Sequence, residues 1–478
     1  MSANLGIQLG SFPVRYLGVP LTSQKLRKQD YQPLIDRISS RFSSWTTRHL
    51  SFAGRLQLLQ SVIYSTISFW ASIFVLPNQC LLTLEHMCNG FLWKGDPTAS
   101  RGVKVSWESV CSPKHSGGLG LRRLSDWNRV LTLKLIWLIF SAGGSLWVSW
   151  IRHNLIGTTN FWCISPSSSD SWVWKSICKL RSIAIPFLVC QLGSGITASF
   201  WQDNWTTLGP LIDITGPRGP MVTGIVIDAV VADAISEGEW WLSSSRSCSP
   251  IISLLRDSLP NAQDIATSEV NDIYLWKPDH TSARDFFSFS ATWTTLHPPP
   301  QSVEWYQSVW FKGRIPKHAF VAWVTARGML NTRDRFRSWN MPVPATCLLC
   351  ALQDESHQHL FFDCPFSSQV WSFFTTKAHL SPPTNLQDVL RWMKDPSRDN
   401  NVSLILKLIF QASIYLIWKE RNGRLHNVSN SPPSVLIKDI QLTLRRPLDP
   451  LSRAQQNLPS TVSLLTTWFG VFQPTGIG

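Results

Sequence analysis

The chain has 478 residues, 44% of them hydrophobic, so it can bury sizeable cores and has room for about two to four domains. Its formal charge of +14 and pI near 9.5 favour an anionic partner, nucleic acid first. The first twenty residues lack a basic start followed by an apolar run, so a secreted protein is not expected, and the nucleus or the cytoplasm is.

In chain order, residues 12–21 (FPVRYLGVPL) predict a short extended segment. A helix is expected over 30–48, with Leu34, Ile38, Phe42 and Trp45 on one side. Arg37, Arg41 and Arg48 lie on another side, where they can follow a phosphate backbone. Ser51 is placed to cap the next helix, 52–75, which Pro77 ends. The stretch 56–84 carries no charge, yet Leu56, Leu59, Ile63, Ile67, Trp70 and Phe74 recur at helical spacing opposite a serine- and glutamine-bearing face. That is a packed amphipathic helix, not a lipid-facing one. Two further apolar stretches, 135–150 and 404–418, are too short and too interrupted to span a membrane. Residues 107–121 form a turn-rich connector. Its glycines lack the strand–loop–helix context of a phosphate loop and are explained by turn geometry.

A helix is expected over 124–140, and 157–171 reads as a linker. From 172 to 245 the pattern predicts short strands, with Gly195 in a tight hairpin and Asp203 and Asn204 in turn or capping roles. A second strand pair is expected over 272–293, and Pro298 to Pro300 mark a boundary. Residues 303–340 are expected to be helical with Trp310, Phe320, Trp323 and Leu330 buried. Helices follow over 366–376, 386–394 and 402–421. After residue 427 the Ser-, Pro- and Gln-rich text predicts a poorly ordered tail. The 25 tryptophans are too scattered for one binding platform and suit indole anchors of several small cores.

One constellation carries chemistry: Cys347-x2-Cys350-x8-His359-x4-Cys364. Two ligands two residues apart chelate one ion without backbone strain, and a second pair completes a tetrahedron. Three thiolates and an imidazole leave no open position, so the ion would be a structural zinc. Scattered buried thiols, or a disulfide in a secreted protein, are the alternatives. His357 is a rival ligand two residues from His359. The other seven cysteines are expected to be reduced core residues.

Four blocks resemble the C-terminal part of a plant non-LTR (LINE-type) retrotransposon reverse transcriptase. They are YLGVPL (16–21) with LSFAGRLQLLQSV (50–62); Trp107 to Leu121 with Asn128, Lys134 and Trp137; GSGITASFWQDNW (193–205); and VWFKGRIPKHAFVAW (309–323) through CLLCALQDESHQHLFFDCPFSSQVW (347–371) to IWKERNGRLHN (417–427). Leu138 departs from the pattern, because related chains often carry arginine there. The last block resembles the reverse-transcriptase zinc-binding domain. Its pattern falls on Cys347, Cys350, Glu355, Ser356, His359, Leu360 and Cys364, which favours His359 over His357.

These readings together predict an α+β, predominantly α-helical protein. Its parts are a basic helical region (1–156) resembling the thumb side after the polymerase palm, a small mixed α/β middle (172–296), a helical zinc-binding module (301–427) and a poorly ordered tail (428–478). Polymerase chemistry needs paired aspartates to hold two divalent ions, and no Asp-Asp occurs. Beyond residue 427 the acids are Asp439 and Asp449, too few for a ribonuclease H carboxylate cluster, and no endonuclease domain is recognised. The expectation is a non-catalytic, truncated retroelement product that binds RNA or DNA, with no membrane and no small-molecule substrate. Arg37, Arg41, Arg48, Arg55 and Lys114 would make phosphate contacts, extended by Lys312, Arg314 and Lys317. The alternatives are an accessory subunit of a separate reverse-transcriptase core and a decayed reading frame.

Overall fold

The computed structural model describes residues 14–22, 24–45, 50–141, 144–157, 159–244, 249–279, 282–426, 428, 430–455 and 462–472. Within them the protein is a predominantly helical α+β chain. Strands β1 (Val14–Tyr16) and β2 (Val19–Leu21) form a hairpin whose two turn residues, Leu17 and Gly18, both have positive φ. Such a turn matches the natural twist of paired strands. Helix α1 (Lys28–Ser44) buries Leu34, Ile38 and Phe42, the stripe expected from the sequence. Helix α2 (Phe52–Leu58) starts where the Ser51 side chain accepts from Gly54 N, and it runs through one wide turn, Leu59–Ile63, into α3 (Tyr64–Ile73). The apolar stripe Leu56 to Phe74 is buried as its spacing requires. Then come α4 (Asn78–Lys94), α5 (Leu124–Phe140), α6 (Trp172–Lys179), β3 (Leu188–Gln191), β4 (Ile235–Ser236), β5 (Glu239–Trp240), β6 (Ile273–Trp276) and α7 (Phe289–Leu296). The last third holds α8 (Pro316–Ala326), α9 (Arg333–Ser338), α10 (Pro365–Lys377), α11 (Leu386–Trp392), α12 (Asn400–Leu425) and α13 (Pro433–Gln455).

The chain divides into two compact units, each assembled from three stretches: 1–37, 64–84 and 123–298 in the first, and 38–63, 85–122 and 299–478 in the second. The first unit has two apolar clusters built around indoles. One gathers Trp137, Trp174 and Trp276 from α5, α6 and β6. The other gathers Phe200, Trp201, Trp205 and Trp240. Two expectations are corrected here. Residues 172–245 are mostly short helices and turns, with β3, β4 and β5 as brief exceptions. Among the described residues of 272–293 only β6 is a strand, and its antiparallel partner is β3, with Leu188 opposite Trp276. The aromatic run that follows enters α7, whose first turn is capped by Ser288 Oγ accepting from Ala291 N at 3.3 Å.

Asp272 organises this unit. It accepts from Gly193 N, Gly195 N, Thr197 N, Thr197 Oγ1 and Ala198 N at 2.8–3.1 Å. Gly193 is required by close approach, because a Cβ there would lie 2.0 Å from Val270 O. Burial alone would raise the Asp272 pKa, but the converging N–H donors outweigh it and hold the carboxyl below its ordinary value. Asp203 is almost fully buried and accepts from Trp162 Nε1, Ser199 N and Tyr274 OH. Burial pushes its pKa up, and the Asp272 charge adds to the rise. The sequence showed no acidic partner for Asp203. The fold supplies one in Asp272, yet both carboxylates are occupied by internal donors, in keeping with a capping role.

In the second unit aromatic rings stack in pairs: Phe42 on Phe91 (4.5 Å), Phe52 on Phe320 (5.2 Å) and Trp93 on Trp323 (6.3 Å). Trp323 Nε1 and Arg327 Nη1 both donate to Gly117 O at 2.8 Å, which ties the turn-rich connector to α8. A Cβ on Gly118 would fall 1.9 Å from Ser112 O, so the paired glycines answer to backbone crowding. Helix α12 is long and apolar enough to cross a membrane by length and composition, but 67% of its apolar window is buried inside the protein. Gln411, midway along it, donates to the Ser308 and Val309 carbonyls, as a core helix requires. The tail expectation is also corrected: α13 buries Leu436, Ile440, Leu444 and Leu448, a four-residue repeat that the Ser, Pro and Gln content masked. Among the remaining cysteines, Cys80, Cys88, Cys111 and Cys190 are buried thiols, Cys178 is half-buried, and Cys163 is exposed, contrary to its expected core position. Cys248 lies outside the described residues.

Candidate metal centre

The four residues singled out by spacing come together. One donor atom from each of Cys347, Cys350, His359 and Cys364 lies within 4.8 Å of the others. Cys347 Sγ and Cys364 Sγ are 4.0 Å apart, and Cys350 Sγ is 3.3 Å from His359 Nε2. A tetrahedral zinc with thiolate bonds of about 2.3 Å needs sulfurs about 3.8 Å apart, so the donor set fits that ion. A sulfur–sulfur distance of 4.0 Å is far from the ~2.05 Å of a disulfide.

Local backbone explains why these side chains converge. Cys347 N donates to Gln353 O and Ala351 N donates to Cys347 O, closing a tight knuckle. Ala351 takes a left-handed conformation (φ 57°) to make it. Leu349 N points at Cys347 Sγ (3.4 Å), which favours a thiolate there. His359 begins a short wide turn, His359–Asp363, anchored where His359 N donates to Ser356 Oγ at 3.1 Å. Cys364 is the N-cap of α10, so the fourth ligand sits where α10 begins. The hydrogen bond between Cys347 and Cys364 pushes the first thiol down and the second up. The pair therefore releases one proton readily and holds the other until a cation replaces it.

His357 has other work. Its Nε2 accepts from Leu330 N (3.1 Å) and its Nδ1 faces Thr332 Oγ1 (3.3 Å), so it props the segment before α9. The geometry selects His359. Its Nδ1 is buried with no hydrogen-bond partner among the described residues.

Around the donors lies a shell that the sequence did not reveal. Glu355, fully buried, forms a two-pronged ion pair with buried Arg421 of α12, with contacts of 2.7–3.2 Å, and also accepts from Arg333 N at 2.9 Å. One turn on, Arg424 donates to Leu349 O (2.9 Å) in the knuckle and to Ser431 O (2.9 Å). Glu420 Oε1 accepts from both Arg424 Nε and Ser431 N. The last turns of α12 thus clamp the loop. The family resemblance had brought forward Glu355 and the stretch IWKERNGRLHN separately, without pairing them.

The expected phosphate contacts fare differently from one another. Arg48 lies outside the described residues. Arg37 is exposed in the first unit, and Arg41 is half-buried in the second. Arg55 is half-buried, its Nη1 at 3.5 Å from Leu92 O and its guanidinium over Phe52. Burial lowers its pKa. Lys114 and Arg314 come together against Trp310, at 5.1 and 5.4 Å from its ring, and burial followed by the Arg314 charge lowers Lys114. Lys312 and Lys317 are exposed, with Lys317 over Tyr415. A cation cluster missed in the sequence joins Lys94, Lys104 and Arg335. Burial, then repulsion from Arg335 and Lys94, pushes Lys104 down to about 8.

Residues 287–371, which contain all four donors, match the family described as zinc-binding in reverse transcriptase. Over 431 residues, 85% of its length, the chain is 26% identical to an Arabidopsis thaliana protein carrying the provisional name ribonuclease H protein At1g65750. The chain spans 66% of that relative's length. Together these likenesses support a retrotransposon-derived protein.

Proposed function

We propose that this chain is a non-catalytic nucleic-acid-binding protein of LINE-type retroelement origin, in which Cys347, Cys350, His359 and Cys364 hold one structural zinc. The observation that carries the reading is the convergence of three thiols and one imidazole inside the segment matching the zinc-binding family. Bound zinc supplies folding energy and no open coordination position. The chain's own residues do the rest: Glu355 and Arg421 fix the loop against α12, and Arg424 holds the knuckle carbonyls. The net charge of +14 and the clustered cations at Lys114 and Arg314 and at Lys94, Lys104 and Arg335 support an anionic strand as partner.

The relative's name raises ribonuclease H activity as the competing reading. The test is direct. The purified chain should contain one zinc, Cys350→Ser should lose it, and RNA or DNA affinity should fall steeply with salt. Magnesium-dependent cleavage of an RNA·DNA hybrid would overturn the non-catalytic reading, and a metal-free, fully folded wild type would overturn the zinc.

A further inference from the structure

The first unit contains a cavity of about 410 Å³ lined by residues of α4, α5 and α6 together with Lys25 and the Val75–Pro77 link. Among its lining residues are three exposed cations, Lys25, Arg129 and Lys179, and no aspartate or glutamate. Arg129 has a loose surface contact with Asp126 at 3.9 Å. Lys25 and Lys179 instead both lean on one indole, with their Nζ atoms 4.6 and 5.7 Å from the Trp172 ring. Two ammonium groups sharing one ring repel each other, and an anion between them relieves that cost.

The cavity is built rather than accidental. Trp172 is pinned by Nε1 donating to Val75 O (3.3 Å). The buried Asn128 amide bonds both the N–H and the carbonyl of Leu76 at 3.4 Å, and Thr132 Oγ1 donates to Asn128 O at 2.8 Å. The first turns of α4 and α5 also contribute lining residues, namely Asn78 and Ser125, while α6 lines the cavity from Trp172 to Lys179. The positive dipole ends of α4 and α5 add to the charge of the three side chains. The volume suits a small ligand, since such sites run to roughly 300–1,000 Å³, and a duplex does not enter a cleft of that size.

We propose that this cavity seats a phosphate-bearing nucleotide unit of an unpaired nucleic-acid strand. Lys25, Arg129 and Lys179 face the phosphate, and Trp172 offers its apolar edge to the sugar or base. This rests on the nucleic-acid-binding reading above and adds to it a place and a strand type. None of the three cations is among the phosphate contacts expected from the sequence, although Lys25 and Arg129 lie in its basic N-terminal region.

The experiment is anisotropy of fluorescein-labelled oligothymidine with the full chain across a salt series. Lys25→Ala combined with Lys179→Ala should weaken binding roughly tenfold and flatten the log–log salt slope by about 1.4, two phosphates' worth for a single strand. Lys25→Arg with Lys179→Arg should restore both. All three cations are exposed, so the melting temperature should stay unchanged and loss of fold is separable from loss of binding. Unchanged affinity and slope in the alanine pair would overturn the cavity assignment while leaving the nucleic-acid reading standing. So would an equal loss from Arg398→Ala with Lys438→Ala, which removes the same charge elsewhere. An equal effect on a hairpin duplex would overturn the unpaired-strand assignment. A wild type that ignores both oligothymidine and the hairpin duplex at low salt would overturn both readings.

Discussion

Two polar clasps hold irregular backbone in this protein, and they work by opposite means. Around Asp272 one carboxylate accepts four backbone N–H groups and a hydroxyl, so residues 193–198 are organised by hydrogen bonds that need nothing from outside. Around Cys347 three thiols and an imidazole face one another, with Cys347 Sγ 4.0 Å from Cys364 Sγ and Cys350 Sγ 3.3 Å from His359 Nε2. The Asp272 clasp is complete as folded. On the zinc reading proposed above the cysteine clasp needs a cation, and the Glu355–Arg421 pair beside it is what the chain itself adds to hold the loop. Irregular structure can thus be made autonomous or conditional, and the choice is visible in whether the donors and acceptors balance.

The comparison breaks most sharply under metal removal. Chelation, or Cys364→Ser, should abolish protection of residues 345–366 in hydrogen exchange and leave 193–198 protected. Structural zinc is worth on the order of 10 kcal/mol in small modules. Loss of protection in both regions at once would mean that the clasps are not independent. Next in size is Arg421→Met, which strands the buried Glu355 carboxylate and should cost about 3–5 kcal/mol in chemical denaturation. Replacing both partners with apolar residues should recover most of that loss. Asp272→Asn should cost about 1–3 kcal/mol, because an amide nitrogen cannot accept from the N–H groups that meet it.

That variant also has a pH signature. The folded Asp272 pKa is depressed, so its stabilisation is present above the unfolded value of about 3.9 and disappears as pH falls through the folded one. Asp203 has the opposite sign: its raised pKa means that acidification relieves a buried charge. Asp272→Asn should therefore flatten the acid limb of the stability curve. A second pH signature belongs to His318, buried against Tyr415 and pushed down to about 4 by burial. A depressed imidazole contributes stability above its unfolded value of about 6.5, and this is lost as pH falls towards 4. His318→Phe should remove a slope of at most ~1.4 kcal/mol per pH unit in that window.

What could be read from the sequence was what is local. Spacing brought the three cysteines forward, because two residues between cysteines is a property of one turn, while His359 was preferred to His357 through the family resemblance. Helix α5 was legible to the residue, since its apolar pattern and flanks are contiguous. The β3–β6 pairing was not, because it joins Leu188 to Trp276 and no local pattern encodes a partner that far away. The run FFSFSATW has strand-like composition, and only the Ser288 cap and the packing of the first unit decide for a helix. The clamp on the metal loop failed for the same reason. Glu355 and Arg421 are 66 residues apart, and although the family resemblance touches both, no local pattern pairs them.

That separation has a consequence for synthesis. The last thiol of the donor set is at Cys364, but Arg421 and Arg424 are added more than fifty residues later. A chain emerging N-terminus first passes through a stage in which the ligands are complete and their brace is still inside the ribosome. On the zinc reading, an ion would have to close the loop during that interval, and metal supply at the moment of translation would set how many chains present a finished knuckle for α12 to dock against.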